Sequence, residues 1–155
     1  MLELYIMRHG ESGFKKGQKD FDRCLTQKGI NDVQKVGKNL LKAIDFDLVL
    51  CSAANRTKQT FERLNINQKV ISYEKEIYEA SLQTILKYIC ELKGERVLYI
   101  GHNPGVTELT KYLSGYPLVG MTPGSVAKVV CALDNWEMSS QDLFQLEWYR
   151  SPEMF

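Results

Sequence analysis

The chain holds only two histidines, and each follows an apolar run of the kind that forms a buried strand. Leu2–Met7 runs into Arg8-His9-Gly10, and Val97–Ile100 runs into Gly101-His102-Asn103-Pro104-Gly105. A third run, Leu48–Cys51, ends at Ser52, with Arg56 one helical turn further on. These side chains together suit phosphoryl chemistry. A neutral imidazole nitrogen is a nucleophile near neutral pH, and guanidinium groups match phosphate oxygens in charge and shape. Two arginines plus one protonated imidazole would offer a charge of about +3, and backbone N–H groups at helix starts would add to it. Singly, each residue has a plainer reading: a loop histidine, a surface arginine, turn-forming glycines. Their convergence on three strand ends favours the site, because open α/β sheets bind ligands at the carboxyl ends of their strands. Other chemistries lose ground. A three-histidine zinc site is impossible, HExxH and Cys/His clusters are missing, and so are GxxxxGK[ST] and GxGxxG. The expectation is a site with no metal and no cofactor.

The elements that must position these residues alternate between strand and helix. Thr26 can cap a helix whose apolar positions Ile30, Val33, Val36, Leu40, Leu41 and Ile44 keep a 3.6-residue period. A second helix is expected over Asn55 to Leu64 and a strand over Val70–Tyr73. Ser81 then caps a helix with Leu82, Ile85, Leu86, Ile89 and Leu92 on one stripe, and Gly94 follows as a stop signal. Asn103-Pro104 reads as a capping side chain and first-turn proline for a helix that ends before Gly115. Gly115–Gly124 reads as a loop, and Val126–Leu133 with Leu143–Trp148 as a closing pair of strands. The alternation predicts a single α/β domain over residues 1–155, a three-layer α/β/α sandwich with a mostly parallel central sheet.

Composition narrows the function. At 155 residues and 44% hydrophobic, the chain can bury a real core without disulfides. A formal charge of +1 gives no global pull toward nucleic acid or a membrane surface, so neither partner is expected. The start, interrupted by Glu3 and lacking a preceding basic region, does not read as a signal peptide. Cys24, Cys51, Cys90 and Cys131 are dispersed, as reduced thiols would be, and a cytoplasmic location is expected.

The ordered motifs resemble those of the histidine phosphatase superfamily, which includes the cofactor-dependent phosphoglycerate mutases. Arg8-His9-Gly10-Glu11 resembles the RHG signature. Arg23-Cys24-Leu25-Thr26, with Gly29, resembles an R-P-L-T-x-x-G run in which Cys24 replaces proline. Ser52 to Thr60 resembles S-x-x-x-R-x-x-Q-T, and Gly101–Gly105 resembles the later G-H block. The compact length and near absence of insertions resemble the SixA-like branch, the protein phosphohistidine phosphatases. The mutase branch carries asparagine six residues after the nucleophilic histidine, where this chain has Lys15.

The resemblance implies a phosphoglycerate mutase-like fold and a metal-independent phosphatase working through a phosphohistidine intermediate. His9 would be the nucleophile, and Arg8, Arg56 and His102 would hold the transferred group. Glu79, in Ile77-Tyr78-Glu79-Ala80-Ser81, is the candidate acid, with Glu74 and Glu76 as competitors and helix-dipole complementation as the plainer role. Ser12 and Asn103 are candidate phosphate ligands. The basic loop Phe14–Lys19 should overhang the site, where it either recognises an acidic partner or is simply solvated. The implied partner is a phosphorylated protein, a phosphotransfer or phosphocarrier domain. A small phosphorylated metabolite is the alternative substrate, and a non-catalytic phosphate-binding module the alternative of another class.

Overall fold

The computed structural model describes residues 1–155. Its strands are β1 (Leu2–Arg8), β2 (Asp45–Ser52), β3 (Asn67–Glu74), β4 (Arg96–Gly101), β5 (Val126–Cys131) and β6 (Gln145–Arg150). Four helices intervene: α1 (Gln27–Val36), α2 (Asn55–Leu64), α3 (Leu82–Cys90) and α4 (Gly105–Ser114). The strands form one sheet in the order β3-β2-β4-β1-β5-β6. β1 to β4 are mutually parallel, and β5 runs antiparallel to both β1 and β6. This is the mixed, mostly parallel α/β sheet expected from the alternation.

Side-chain alternation along β1 shows why Leu4–Met7 is an unbroken apolar run. Leu2, Leu4 and Ile6 pack in one core with Ile85 and Ile89 of α3 and Val106, Leu109 and Leu113 of α4. Tyr5 and Met7 point the other way, into a core with Val33 and Val36 of α1 and Leu64 of α2. A strand covered by helices on both faces has no solvent side to mark with polar residues. β4 repeats the pattern, with Val97 and Tyr99 on the first side and Leu98 and Ile100 on the second. In register, Arg8 lies opposite Gly101, and Cys51 lies opposite Ile100. The carboxyl ends of β1, β2 and β4 therefore finish level, on the edge that carries both histidines.

Two expectations need correction. The helix expected to run through to Ile44 stops at Val36, and Gly37–Leu41 forms a wider turn closed by Lys42 N–H donating to the Gly37 carbonyl at 2.8 Å. With that wider turn Leu41 and Val36 both stay fully buried in the same core. At the other correction, α4 begins at Gly105 with Pro104 ahead of it, and Asn103 caps no backbone N–H. The His102 carbonyl already takes the Val106 N–H at 3.0 Å. The Asn103 amide is thereby free to donate to the Met121 carbonyl (2.8 Å) and accept from the Thr107 hydroxyl (2.7 Å), pinning the 115–124 loop.

Candidate active site

His9 leaves the end of β1 with its backbone N–H donating to the Gly101 carbonyl of β4 at 3.1 Å. Its ring is buried, and Nδ1 lies 2.7 Å from the Gly10 carbonyl. A carbonyl only accepts, so Nδ1 carries the proton and Nε2 keeps its lone pair. Arg56 Nε, a donor, lies 3.3 Å from that Nε2 and is consistent only with this tautomer. The His9 pKa falls to about 4, first through burial and then through the charges of Arg56, Arg8 and Arg23, against the opposing pull of the Gly10 carbonyl. From the sequence, like charge was the expected cause; burial is the larger.

The motif residues around His9 have structural work of their own. Thr60 accepts the Gly10 N–H at 3.0 Å and donates to the Arg56 carbonyl at 2.7 Å. Gln59 accepts the Leu25 N–H at 2.7 Å. Side chains larger than hydrogen do not fit at two positions. A Cβ on Gly10 would lie 2.7 Å from Val33 Cγ2, and one on Gly29 would lie 2.2 Å from the Glu11 carbonyl oxygen. The glycines thus let α1 press against the turn that follows His9.

Three arginines face the resulting cleft of about 270 Å³, which is lined by Arg8, His9, Ser12, Arg23, Arg56, His102 and Asn103 among others. Arg8 Nη1 donates to the Met121 carbonyl at 2.9 Å. Arg23 is held by Gly13 O (3.1 Å), Ser12 Oγ (2.8 Å) and Asp20 Oδ1 (3.1 Å). Arg56 donates to the Asp20 carbonyl (2.7 Å) and to Asp20 Oδ2 (3.1 Å). Tyr78 donates its hydroxyl to the same carboxylate. That hydrogen bond, followed by those from Arg23 and Arg56, holds the Asp20 carboxyl well below the usual range. Glu11, also at the cleft, turns toward Lys28 at 3.8 Å. Guanidinium charge exceeds carboxylate charge here, which is what a phosphoryl dianion requires.

His102 sits with its ring centroid 5.1 Å from that of His9 and 5.4 Å from that of Tyr78. Its Nε2 is 2.8 Å from Ser52 Oγ, and Nδ1 is buried without a partner. Burial, then the neighbouring His9 and Arg56, takes its pKa down to about 3, so the ring is neutral near neutral pH. The positive charge of the site therefore comes from three arginines rather than from two arginines and an imidazolium. Next to the small cleft lies a larger one of about 520 Å³, sharing Arg56, His102 and Asn103 and bounded by Asp20, Tyr78, Glu79 and Ser81. Glu79 is exposed on its rim, while Glu74 accepts from Ser72 and Glu76 from Tyr88. Ser12 and Asn103 both reach the small cleft, but their polar atoms are already engaged by Arg23, Met121 and Thr107.

Arg23, Asp20, Tyr78, Ser52 and Thr60 are site residues that the sequence reading did not assign. Arg23, Ser52 and Thr60 stood inside quoted motifs and could have been found there. Asp20 and Tyr78 carried no signal.

The model of the histidine phosphatase superfamily (branch 1) matches residues 4–85, about half of the chain. The chain belongs to that superfamily. A curated relative, an uncharacterized protein of Mycobacterium tuberculosis, is 33% identical over 114 residues, 70% of either chain. Among solved structures, one described as a phosphohistidine phosphatase SixA from Nakamurella multipartitia superposes with a TM-score of 0.86 at 24% identity, covering 97% of this chain and 96% of its own. The protein histidine phosphatase SixA complexed with tungstate superposes with a TM-score of 0.81 at 24% identity, covering 99% of each chain. A structure described as an alpha-ribazole-5'-P phosphatase from Escherichia coli shares the fold with a TM-score of 0.66 at 18% identity, covering 98% of each chain. This histidine phosphatase domain thus has the phosphoglycerate mutase-like fold expected from its motifs. No helix is long and apolar enough to cross a membrane.

Proposed function

We propose that this protein is a metal-independent phosphatase that removes phosphate from phosphohistidine on another protein, with His9 as the nucleophile. The observation that carries the proposal is the His9 ring itself, fixed through Nδ1 to Gly10 with an unprotonated Nε2 among three guanidinium groups. Nε2 attacks phosphorus, an N–P bond forms to His9, and the P–N bond of the substrate breaks as its imidazole takes a proton. Water then attacks the phosphorus of phospho-His9, releasing inorganic phosphate and returning the neutral ring. Arg8, Arg23 and Arg56 offset the charge on the transferred group, which changes little through a loose transition state. His102, whose ring lies 5.1 Å from that of His9, is neutral at first and gains a proton if the dianion raises its pKa. The 520 Å³ cleft is the place for the leaving group, and Glu79 on its rim is the proton donor.

The likeness in fold to SixA structures supports phosphohistidine as the substrate class. The size of the cleft and the likeness to a ribazole-phosphate phosphatase support a second reading, a phosphatase of small phosphomonoesters. Turnover of a phosphohistidine-bearing carrier protein should exceed turnover of a panel of sugar and nucleotide phosphates. The reverse order would select the second reading. During turnover, acid-labile, base-stable phosphate should be trapped on the wild type and not on His9→Ala. Label retained by His9→Ala would remove His9 from the role, and a loss of activity in EDTA would overturn the metal-independent mechanism.

A further inference from the structure

The loop between Gly13 and Arg23 leaves the phosphate cleft and returns to it. Arg23 closes its base by bonding Gly13, Ser12 and Asp20, and the Arg23 guanidinium stacks on the inner face of Phe14 at 3.6 Å from the ring centroid. The tip is held by two internal hydrogen bonds, Gln18 N–H to the Lys15 carbonyl at 3.0 Å and the Gln18 side-chain Nε2 to the Asp22 carbonyl at 3.0 Å. None of these contacts uses the side chains of Lys15, Lys16 or Lys19, which are exposed and form no ion pair, and Phe14 is 81% exposed. Of the two acids on this segment, Asp20 is already committed to Arg23, Arg56 and Tyr78. Asp22 is left as the one free carboxylate among three free ammonium groups. A phosphate cleft bordered by a loop that carries an exposed aromatic ring and three unpaired lysines is built to be covered by a second surface, and the charge fixes its sign.

We propose that the Phe14–Lys19 loop is a docking surface for the phosphorylated protein substrate, and that this partner presents acidic side chains around its phosphohistidine to Lys15, Lys16 and Lys19. The proposal rests on the reading that the substrate is a phosphoprotein. Its electrostatic part acts on encounter and KM, because exposed charges steer association and contribute little to the chemical step. It also shrinks as salt screens the exposed lysines.

The test uses three synthetic peptides that each carry one phosphohistidine, flanked by glutamates, serines or lysines, with phosphoramidate as a substrate too small to reach the loop. Wild type should favour the glutamate peptide over the serine peptide by roughly tenfold in kcat/KM, the difference lying in KM and fading with salt. The triple variant Lys15→Glu, Lys16→Glu, Lys19→Glu should reverse that order toward the lysine peptide. Its turnover of phosphoramidate should stay within about twofold of wild type, because these side chains sit outside the phosphate cleft. Equal use of the three peptides by wild type would overturn the docking surface while leaving the phosphohistidine reading intact. An equal loss on phosphoramidate and peptides in the variant would instead make the loop part of the catalytic cleft. Turnover of phosphoramidate and small esters with no peptide cleaved would remove the phosphoprotein reading, and the docking surface with it.

Discussion

Replacing Thr60 with valine tests whether the His9 ring, the proposed nucleophile, is held by a chain of buried hydrogen bonds that begins one helix away. Thr60 is fully buried, and its hydroxyl is the acceptor for the Gly10 N–H at 3.0 Å. Gly10 in turn offers the carbonyl that holds His9 Nδ1 at 2.7 Å. Valine matches threonine in shape but leaves the Gly10 N–H buried and unpaired, a cost of about 1–3 kcal/mol. At this chain length that corresponds to a Tm lower by roughly 3–10 °C. Freed from its anchor, the Gly10 turn holds the Nδ1 proton less firmly, and a loosely aimed nucleophile loses about tenfold in kcat/KM. Thr60→Ser separates the two effects. It keeps the hydroxyl and loses only a buried methyl, for about 1 kcal/mol of stability, so its kcat/KM should stay close to wild type. Thermal unfolding and steady-state rates on one small substrate suffice. If Thr60→Ser is as slow as Thr60→Val, or if Thr60→Val is as fast as wild type, the tautomer of His9 is not set through Gly10.

The two imidazoles should both be neutral at about pH 6 by NMR, with His9 protonated on Nδ1, since both pKa values lie well below the ordinary one; an imidazolium at that pH would refute it. Because the unfolded chain protonates these histidines near pH 6.5 while the fold delays protonation to about pH 4 and about pH 3, their contribution to stability declines as pH falls through that window. Urea midpoints should fall less steeply with pH in His102→Asn than in wild type, and parallel curves would contradict the assignment. Glu79→Gln should cost most on alkyl phosphates, less on aryl phosphates and little on phosphohistidine, whereas Arg56→Ala should cost all three alike, by about 10²–10³ in kcat/KM. A uniform loss for Glu79→Gln would make that residue structural.

What could be read from the sequence was whatever depends on neighbours along the chain. β1 and β4 were legible because strands covered on both faces carry unbroken apolar runs, Leu4–Met7 and Val97–Ile100, and α1 and α3 because Thr26 and Ser81 accept the N–H groups of Gly29 and Thr84. The strand ends then named Arg8, His9 and His102. What escaped was fixed by chain closure. Asp20 meets Arg56 across 36 positions and Tyr78 across 58, and nothing in the local pattern of a basic loop marks one carboxylate as the anchor of two arginines. Asn103 was misread for the same reason: its side chain answers to the Met121 carbonyl, 18 residues away, and not to the helix beside it. The depth at which His9 is buried was also invisible, so charge alone was credited with keeping it neutral.

The pairing of β1 with β4 sets a ruler for the chemistry. His9 and His102 each follow a strand that stands next to the other in register, Arg8 opposite Gly101, and the backbone bond from His9 to Gly101 carries the pairing one step beyond the strands. Neighbouring strands are spaced about 4.7–4.9 Å apart. The two rings lie 5.1 Å apart. Their separation is a lattice constant of the sheet more than a product of side-chain packing, and no loop has to close to create it. The spacing of the two imidazoles therefore rests on some of the innermost hydrogen bonds of the fold, while the loops around them are free to vary. Under the proposed function, selectivity would drift by loop substitution without changing the distance between His9 and His102.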